Sequence, residues 1–119
     1  MRVLLVEDEA LVAMIAEEAL SSLGFDPSTA RNAAEAISQF EAETPALAVI
    51  DVGLPDLKGD VLAKRLRALA PEMPIVVASG YDEGELNAKF ADDPRTAVLA
   101  KPYTEDDLAR VTRSLGFNA

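Results

Sequence analysis

Short apolar segments alternate with amphipathic segments along the chain. Four apolar runs span residues 3–6, 47–50, 75–78 and 97–100, and a weaker run spans residues 25–30. A short apolar run is typical of a strand buried on both faces. Most of the segments between the runs carry apolar residues at spacings of three and four, which is typical of amphipathic helices. The alternation therefore predicts an α/β fold in which helices cover both faces of a parallel sheet.

Pro27 indicates where the second strand lies in this sheet. Proline cannot donate a ladder hydrogen bond, so the strand at 25–30 is expected at a sheet edge. Right-handed crossovers then favour the strand order 2-1-3-4-5 of a flavodoxin-like, doubly wound (βα)5 sandwich. The length of 119 residues suits one domain, and we expect it to occupy residues 1–119 without an output domain.

The predicted helices differ in how much apolar surface they offer. The first and third contain wide apolar faces, which include Leu11, Ile15, Val61 and Leu69. Residues 82–96 are polar and acidic, with Leu86 and Phe90 as the clear apolar anchors. This segment predicts a fourth helix that is short or mobile.

The residue types missing from the sequence limit its chemistry. With no cysteine and no histidine, the chain lacks thiolate nucleophiles, disulfides, Ser-His-Asp catalysis and imidazole metal ligands. A metal site must use oxygen ligands, which suits Mg²⁺, with Mn²⁺ or Ca²⁺ as substitutes. The net charge of −10 disfavours nucleic acid and anionic membranes, and no apolar run could span a bilayer. We expect a cytoplasmic protein that binds neither.

Charged and polar residues follow four of the predicted strands. Glu7 and Asp8 come after the first, Asp51 after the third, Ser79 after the fourth and Lys101 after the fifth. The carboxyl ends of parallel strands meet at one edge of a sheet, where ligands bind at the switch in strand order. Each residue alone is more often a helix cap or a turn residue. Their convergence on one edge predicts a functional site.

Three carboxylates in one cleft repel each other unless a cation or protons neutralise them. Mg²⁺ prefers one or two carboxylates together with waters and phosphate oxygens. Lys101 offers a positive charge to a phosphate, and Ser79 offers a hydroxyl donor. Carboxylates can act as nucleophiles that form acyl-phosphates. Asp51, placed between the acidic pair and the Ser79/Lys101 pair, is the predicted nucleophile.

These residues and their spacing resemble the receiver domains of two-component response regulators, which are CheY-like proteins. The resemblance covers the whole chain and rests on five motifs, which are residues 4–8, residues 51–56, Gly59, Ser79 and Lys101-Pro102. It implies that Asp51 accepts a phosphoryl group and that Ser79 and Lys101 bind the phosphoryl oxygens. It further implies that Mg²⁺ is held by Glu7, Asp8, Asp51 and the Gly53 backbone carbonyl.

The resemblance has further implications for conformation and switching. It implies a cis Lys101-Pro102 bond. It implies that Tyr103, with Ser79 and Tyr81, couples phosphorylation to the surface of the fourth and fifth helices. Residues 74–81 are similar to a subset of receivers with a Phe-Ala-Thr-Gly-Tyr motif, with Ser79 in place of the threonine. Some members of that subset act in alphaproteobacterial general stress signalling.

The resemblance also implies partners. The phosphodonor would be a sensor histidine kinase or a histidine phosphotransfer protein. A downstream protein would bind the face formed by the fourth helix, the fifth strand and the fifth helix. The chain itself would be a monomeric phosphoacceptor switch rather than an enzyme, with slow autophosphorylation and autodephosphorylation. It would signal by protein binding, as a phosphate sink or by onward phosphotransfer.

Three other classes of protein compete with this interpretation. A phosphatase of the haloacid dehalogenase type needs a second aspartate where this chain has Gly53. A flavodoxin-like cofactor module needs a loop that accepts phosphate, but residues 7–9 are all acidic and would repel it. A pseudo-receiver, an interaction module that is not phosphorylated, usually lacks one of the five key positions, and here all are filled.

Overall fold

A computed structural model describes residues 1–80 and 83–117, in which five strands alternate with five helices. The strands are β1 (Arg2–Val6), β2 (Asp26–Ala30), β3 (Leu47–Asp51), β4 (Ile75–Ser79) and β5 (Thr96–Ala100). The helices are α1 (Ala10–Ser22), α2 (Ala33–Ala42), α3 (Gly59–Leu69), α4 (Glu83–Lys89) and α5 (Glu105–Ser114). The predicted βα alternation is confirmed.

The strands form one parallel sheet in the order β2-β1-β3-β4-β5. β2 lies at the edge, with Pro27 opposite Val3, as the missing N–H of proline predicted. β3 and β4 are buried along their whole length, because helices cover both of their faces. The flavodoxin-like, doubly wound (βα)5 architecture predicted from the sequence is therefore confirmed.

Alternate residues of the strands build two separate hydrophobic cores. On one face, strand residues such as Leu4 and Ile50 pack with α2, α3 and α4. On the other face, strand residues such as Val3 and Val49 pack with α1 and α5. The period-two geometry of a strand produces this division. It places α4 and α1 on opposite sides of the sheet.

The apolar faces of α1 and α3 are wider than the surfaces that these helices bury. α1 packs against the sheet through small residues and Leu20, whereas Leu11 and Ile15 remain 69% and 59% exposed. On α3, Val61 and Leu69 are exposed as well. The inner face of α1 is formed by Ala13, Ala16 and Leu20, and its flanking large residues point away from the core. The spacing of apolar residues identified the helices correctly but predicted more buried residues on them than the structure shows.

α4 is short, as the polar composition of residues 82–96 predicted. It has seven residues and buries Leu86, with Phe90 buried just beyond its end. An ion pair between Lys89 and Asp60 joins it to α3. The Lys64 Nζ also donates to the Lys89 carbonyl oxygen over 3.0 Å. In the described part of the chain, no helix has the length and apolar character needed to cross a bilayer.

Candidate functional site: an acidic cleft at the carboxyl edge of the sheet

The ends of four strands bring the predicted site residues together. A cleft of about 480 Å³ is lined by Asp8, Asp51, Gly53, Ser79 and Lys101, together with Glu9, Val52 and Gly80. Asp51 and Ser79 are the last residues of β3 and β4, and both are buried. Asp8 lies in the turn before α1 and is exposed. The structure thus places these five residues at the edge where the sequence predicted a site.

Lys101 forms the electrostatic centre of the cleft. Its Nζ donates to Glu7 Oε1 over 3.0 Å and to Asp51 Oδ1 over 3.1 Å. The second oxygen of Glu7 accepts a hydrogen bond from the Glu9 backbone N–H over 3.2 Å. Glu7 is only 2% exposed, so one ammonium group holds two carboxylates at the edge of the core. Breaking such a buried arrangement on one side leaves a charge without compensation.

The ionisation of Glu7 and Lys101 reflects this arrangement. Burial raises the pKa of Glu7, and the charge of Asp51 raises it further against the opposing hydrogen bond from Lys101. Burial by itself would lower the pKa of Lys101, but the hydrogen bonds to Glu7 and Asp51 outweigh it and raise that pKa. Lys101 is therefore firmly charged, and Glu7 is an acid whose ionised form depends on that charge.

We expect Lys101→Met to destabilise the protein strongly at neutral pH in metal-free buffer. Removing one partner of a buried ion pair costs about 3–5 kcal/mol. Without the ammonium group, the pKa of Glu7 rises further. When the pKa of an acid is higher in the folded protein than in the unfolded chain, the acid stabilises the fold at pH values below its unfolded pKa, which is near 4.5 for Glu7. This stabilisation is lost as the pH rises through the pKa of the folded state. The deficit relative to wild type should therefore shrink as pH falls from neutral toward 4.5.

Urea unfolding of both proteins across this pH range measures that deficit. Arg65→Met, which removes one positive charge from the exposed surface of α3, is the control and should show a small, nearly constant difference. A Lys101→Met deficit that stays constant or grows on acidification would contradict the role of Lys101 in neutralising Glu7.

The donor set of the cleft fits a hard divalent cation. One carboxylate oxygen each from Glu7, Asp8 and Asp51 lies within 4.8 Å of the others. Gly53 lines the same cleft, and a Cβ built on it would lie 3.6 Å from Asp51 Oδ2, so its backbone lies beside the acid. Carboxylate and backbone carbonyl oxygens are the ligands that Mg²⁺ and Ca²⁺ prefer. The structure therefore brings together the three carboxylates and the glycine that the resemblance names as Mg²⁺ ligands, and their role as ligands stays a prediction.

The Lys101-Pro102 peptide bond is cis, as predicted. Tyr103, however, lies on the α1/α5 side of the sheet. It packs against the core of that face, and burial followed by the charge of Glu7 raises its pKa to about 12. The β5 residue that packs against the core containing α4 is Val98. Of the two helices in that expectation, α5 lies on the face where Tyr103 packs, whereas α4 lies on the other face. The coupling of Tyr103 to the surface of these helices stays a prediction. Tyr81 lies outside the described residues.

Two residues without a predicted role in the site, Gly59 and Asp56, join the segment that follows Asp51 to the rest of the fold. Gly59 begins α3 directly against β3, and its N–H donates to the Val52 carbonyl over 2.9 Å. The Asp56 carboxylate accepts hydrogen bonds from the backbone N–H groups of Ala33 and Ala34, at the start of α2. Both residues belong to the motif at 51–59. Their contacts reach distant parts of the chain, so spacing alone could not reveal them.

Comparison with known proteins identifies the family. The model of the response regulator receiver domain matches residues 3–113, so the chain belongs to that family. Receiver domains are phosphoacceptor switches of two-component systems. They bind Mg²⁺ at an acidic pocket and interact with histidine kinases or phosphotransfer proteins. Membership removes the phosphatase and the flavodoxin-like cofactor module as alternatives.

Individual relatives agree with this assignment. The chain is 35% identical to a probable transcriptional regulator ycf27 of Pyropia yezoensis, over 96% of the chain and 46% of the relative. It is 31% identical to the transcription factor SKN7 of Chaetomium thermophilum, over 94% of the chain and 15% of the relative. A CheY-like receiver from Methanospirillum hungatei superposes with a TM-score of 0.83 at 28% identity, covering 96% of this chain and 92% of that one. The chain spans half or less of these curated relatives.

Proposed function

We propose that Asp51 is the phosphoacceptor of a Mg²⁺-dependent receiver switch. The observation that carries this proposal is the cleft itself, where oxygens of Glu7, Asp8 and Asp51 lie within 4.8 Å of one another and Lys101 bonds to two of these acids. Glu7, Asp8, Asp51 and the Gly53 carbonyl would hold Mg²⁺. When bound, the cation neutralises charge on the acids and on the incoming phosphoryl oxygens.

The chain's own residues would then serve phosphoryl transfer in distinct ways. An Asp51 carboxylate oxygen forms a bond to phosphorus as the bond from phosphorus to the donor nitrogen breaks. Lys101, held beside Asp51 Oδ1, provides a fixed positive charge for the developing phosphoryl oxygens. Ser79, at the end of β4 in the same cleft, would donate its hydroxyl to one of them. The chain contains no histidine, so a sensor histidine kinase or histidine phosphotransfer protein would supply the phosphohistidine.

We propose that this donor protein binds the exposed face of α1. Leu11, Met14 and Ile15 are all more than half exposed on a helix that begins two residues after the acidic pair. Beside them lies an apolar groove of about 260 Å³ lined by Ala16, Pro102 and Tyr103. Exposed apolar clusters of this kind mark interaction sites. A donor helix on this face would bring its histidine to the mouth of the cleft.

A comparison of two phosphodonors tests the proposed α1 surface. We expect Leu11→Ser with Ile15→Ser to slow transfer from a phosphorylated histidine phosphotransfer protein by about tenfold or more, as loss of central interface contacts does. Phosphorylation by acetyl phosphate, which needs no docking, should be unchanged. Leu69→Ser, at an equally exposed leucine on α3, is the control and should alter neither rate. Equal slowing with both donors would contradict docking on α1.

The proposal also includes how the phosphorylated protein signals. We propose a cytoplasmic monomer whose phosphorylation controls binding of a downstream protein at the face of α4, β5 and α5, with phosphate-sink or onward-transfer activity as alternatives. The short α4 supports this choice of face, since Leu86 is the buried side chain among those of its residues whose burial is described. The partial similarity to the Phe-Ala-Thr-Gly-Tyr subset supports a role in general stress signalling.

Mass spectrometry of the intact protein tests the phosphoacceptor function. After incubation with acetyl phosphate and Mg²⁺, we expect the protein to gain the mass of one phosphoryl group. The gain should disappear when EDTA replaces Mg²⁺, since the clustered acids would then repel the donor. Protein that gains no mass with Mg²⁺ present would instead be a pseudo-receiver.

A further inference from the structure

The segment that follows Asp51 is held by contacts to three distant parts of the fold. The Val52 N–H donates to the Ala78 carbonyl over 3.0 Å, and Leu54 is buried in the core. The third contact is the Asp56 carboxylate, which accepts from Ala33 N at 2.8 Å and from Ala34 N at 3.0 Å. Gly53, which lines the acidic cleft, therefore lies between two anchored points.

Asp56 supplies an unusual kind of helix cap, because it comes from another loop. The local cap of α2 is Asn32, whose side chain accepts from the Glu35 N–H over 2.8 Å. Asp56 satisfies the two preceding N–H groups, so the start of α2 uses both residues. These bonds lower the pKa of Asp56, with the bond from Ala33 contributing most, and the helix dipole favours its negative charge.

We infer that Asp56 is a positioning residue for the cation site, because it fixes the segment that carries the Gly53 carbonyl to the N-terminus of α2. This inference rests on the proposed function of the cleft. A helix cap needs only to satisfy N–H groups, and a local residue can do so. A cap supplied by the segment beside the phosphoacceptor also couples α2 to the geometry of that segment. Groups that orient metal ligands strongly affect metal affinity.

Two cap variants of the same helix separate the positioning role from a purely structural one. Asp56→Ala and Asn32→Ala each remove a cap from α2, and both should lower its thermal stability. Only Asp56→Ala also removes one of the three contacts that hold the segment after Asp51. We expect it to weaken Mg²⁺ binding by about tenfold in calorimetric titration, while Asn32→Ala binds as the wild type does.

A second readout follows from phosphorylation by acetyl phosphate. Asp56→Ala should be slow at low Mg²⁺ and recover the wild-type rate at saturating Mg²⁺, because Asp51 and Lys101 remain intact. Asp56→Asn, which keeps one acceptor oxygen, should bind Mg²⁺ with intermediate affinity and provides the test should the alanine variant not fold. Wild-type affinity in both Asp56 variants, or equal weakening by Asn32→Ala, would overturn the inference. A wild-type protein that binds no Mg²⁺ would overturn the proposed function and the inference together.

Discussion

Asp51→Asn is expected to abolish phosphorylation completely and to leave the fold intact. The amide keeps the size of the carboxyl group and an oxygen that can accept from Lys101, but it lacks the nucleophilic carboxylate. Asp51 is buried at the end of β3, and the substitution also relieves its repulsion with Glu7. After incubation with acetyl phosphate and Mg²⁺, the intact mass should equal that of the untreated variant.

Asp60→Asn is the matched control for this experiment. Asp60 is also a buried acid near the start of α3, but it pairs with Lys89 and lies outside the cluster of Glu7, Asp8 and Asp51. The Asp60→Asn protein should gain phosphoryl mass as the wild type does. A mass gain in Asp51→Asn, located by peptide mapping on Asp8 or elsewhere, would show that the acceptor assignment is wrong.

Among the glycine-to-alanine substitutions in this site, Gly59→Ala is expected to be the most destabilising. An ideal Cβ at Gly59 would lie 2.0 Å from the Asp51 carbonyl oxygen and 2.7 Å from its carbonyl carbon. Both atoms belong to the backbone of β3, so no side-chain rotation relieves the overlap. The start of α3 must move away, which breaks the bond from Gly59 N to the Val52 carbonyl. We expect the free energy of unfolding to fall by about 3 kcal/mol or more, which is at the upper end of the range for overpacked cores.

Urea unfolding of Gly59→Ala and Gly80→Ala measures this difference. A Cβ at Gly80 would meet no atom within 4 Å, so that variant should stay within about 0.5 kcal/mol of wild type. The displaced β3 end in Gly59→Ala should also weaken Mg²⁺ binding in calorimetry. Equal stabilities of the two variants would contradict the close approach of α3 to Asp51.

Most residues of the site could be predicted from the sequence, because they lie at the ends of strands. In a parallel sheet the strand order alone places Glu7, Asp51 and Lys101 at one edge. Tyr103 shows where this reasoning ends. The residue lies beyond the end of β5, so strand alternation no longer determines its direction. Its packing against α1 depends on the shape of the opposite core.

The order of apolar and polar residues by itself determined the alternating elements, the edge position of β2 and the set of residues at the functional edge. These features follow from local periodicity, from the missing N–H of Pro27 and from the geometry of parallel strands. Only the tertiary structure decided which apolar residues of α1 stay exposed, how Lys101 is shared between Glu7 and Asp51, and which distant segments Gly59 and Asp56 contact. Each of these depends on distances between segments far apart in the chain, and such distances are set by packing rather than by any local pattern.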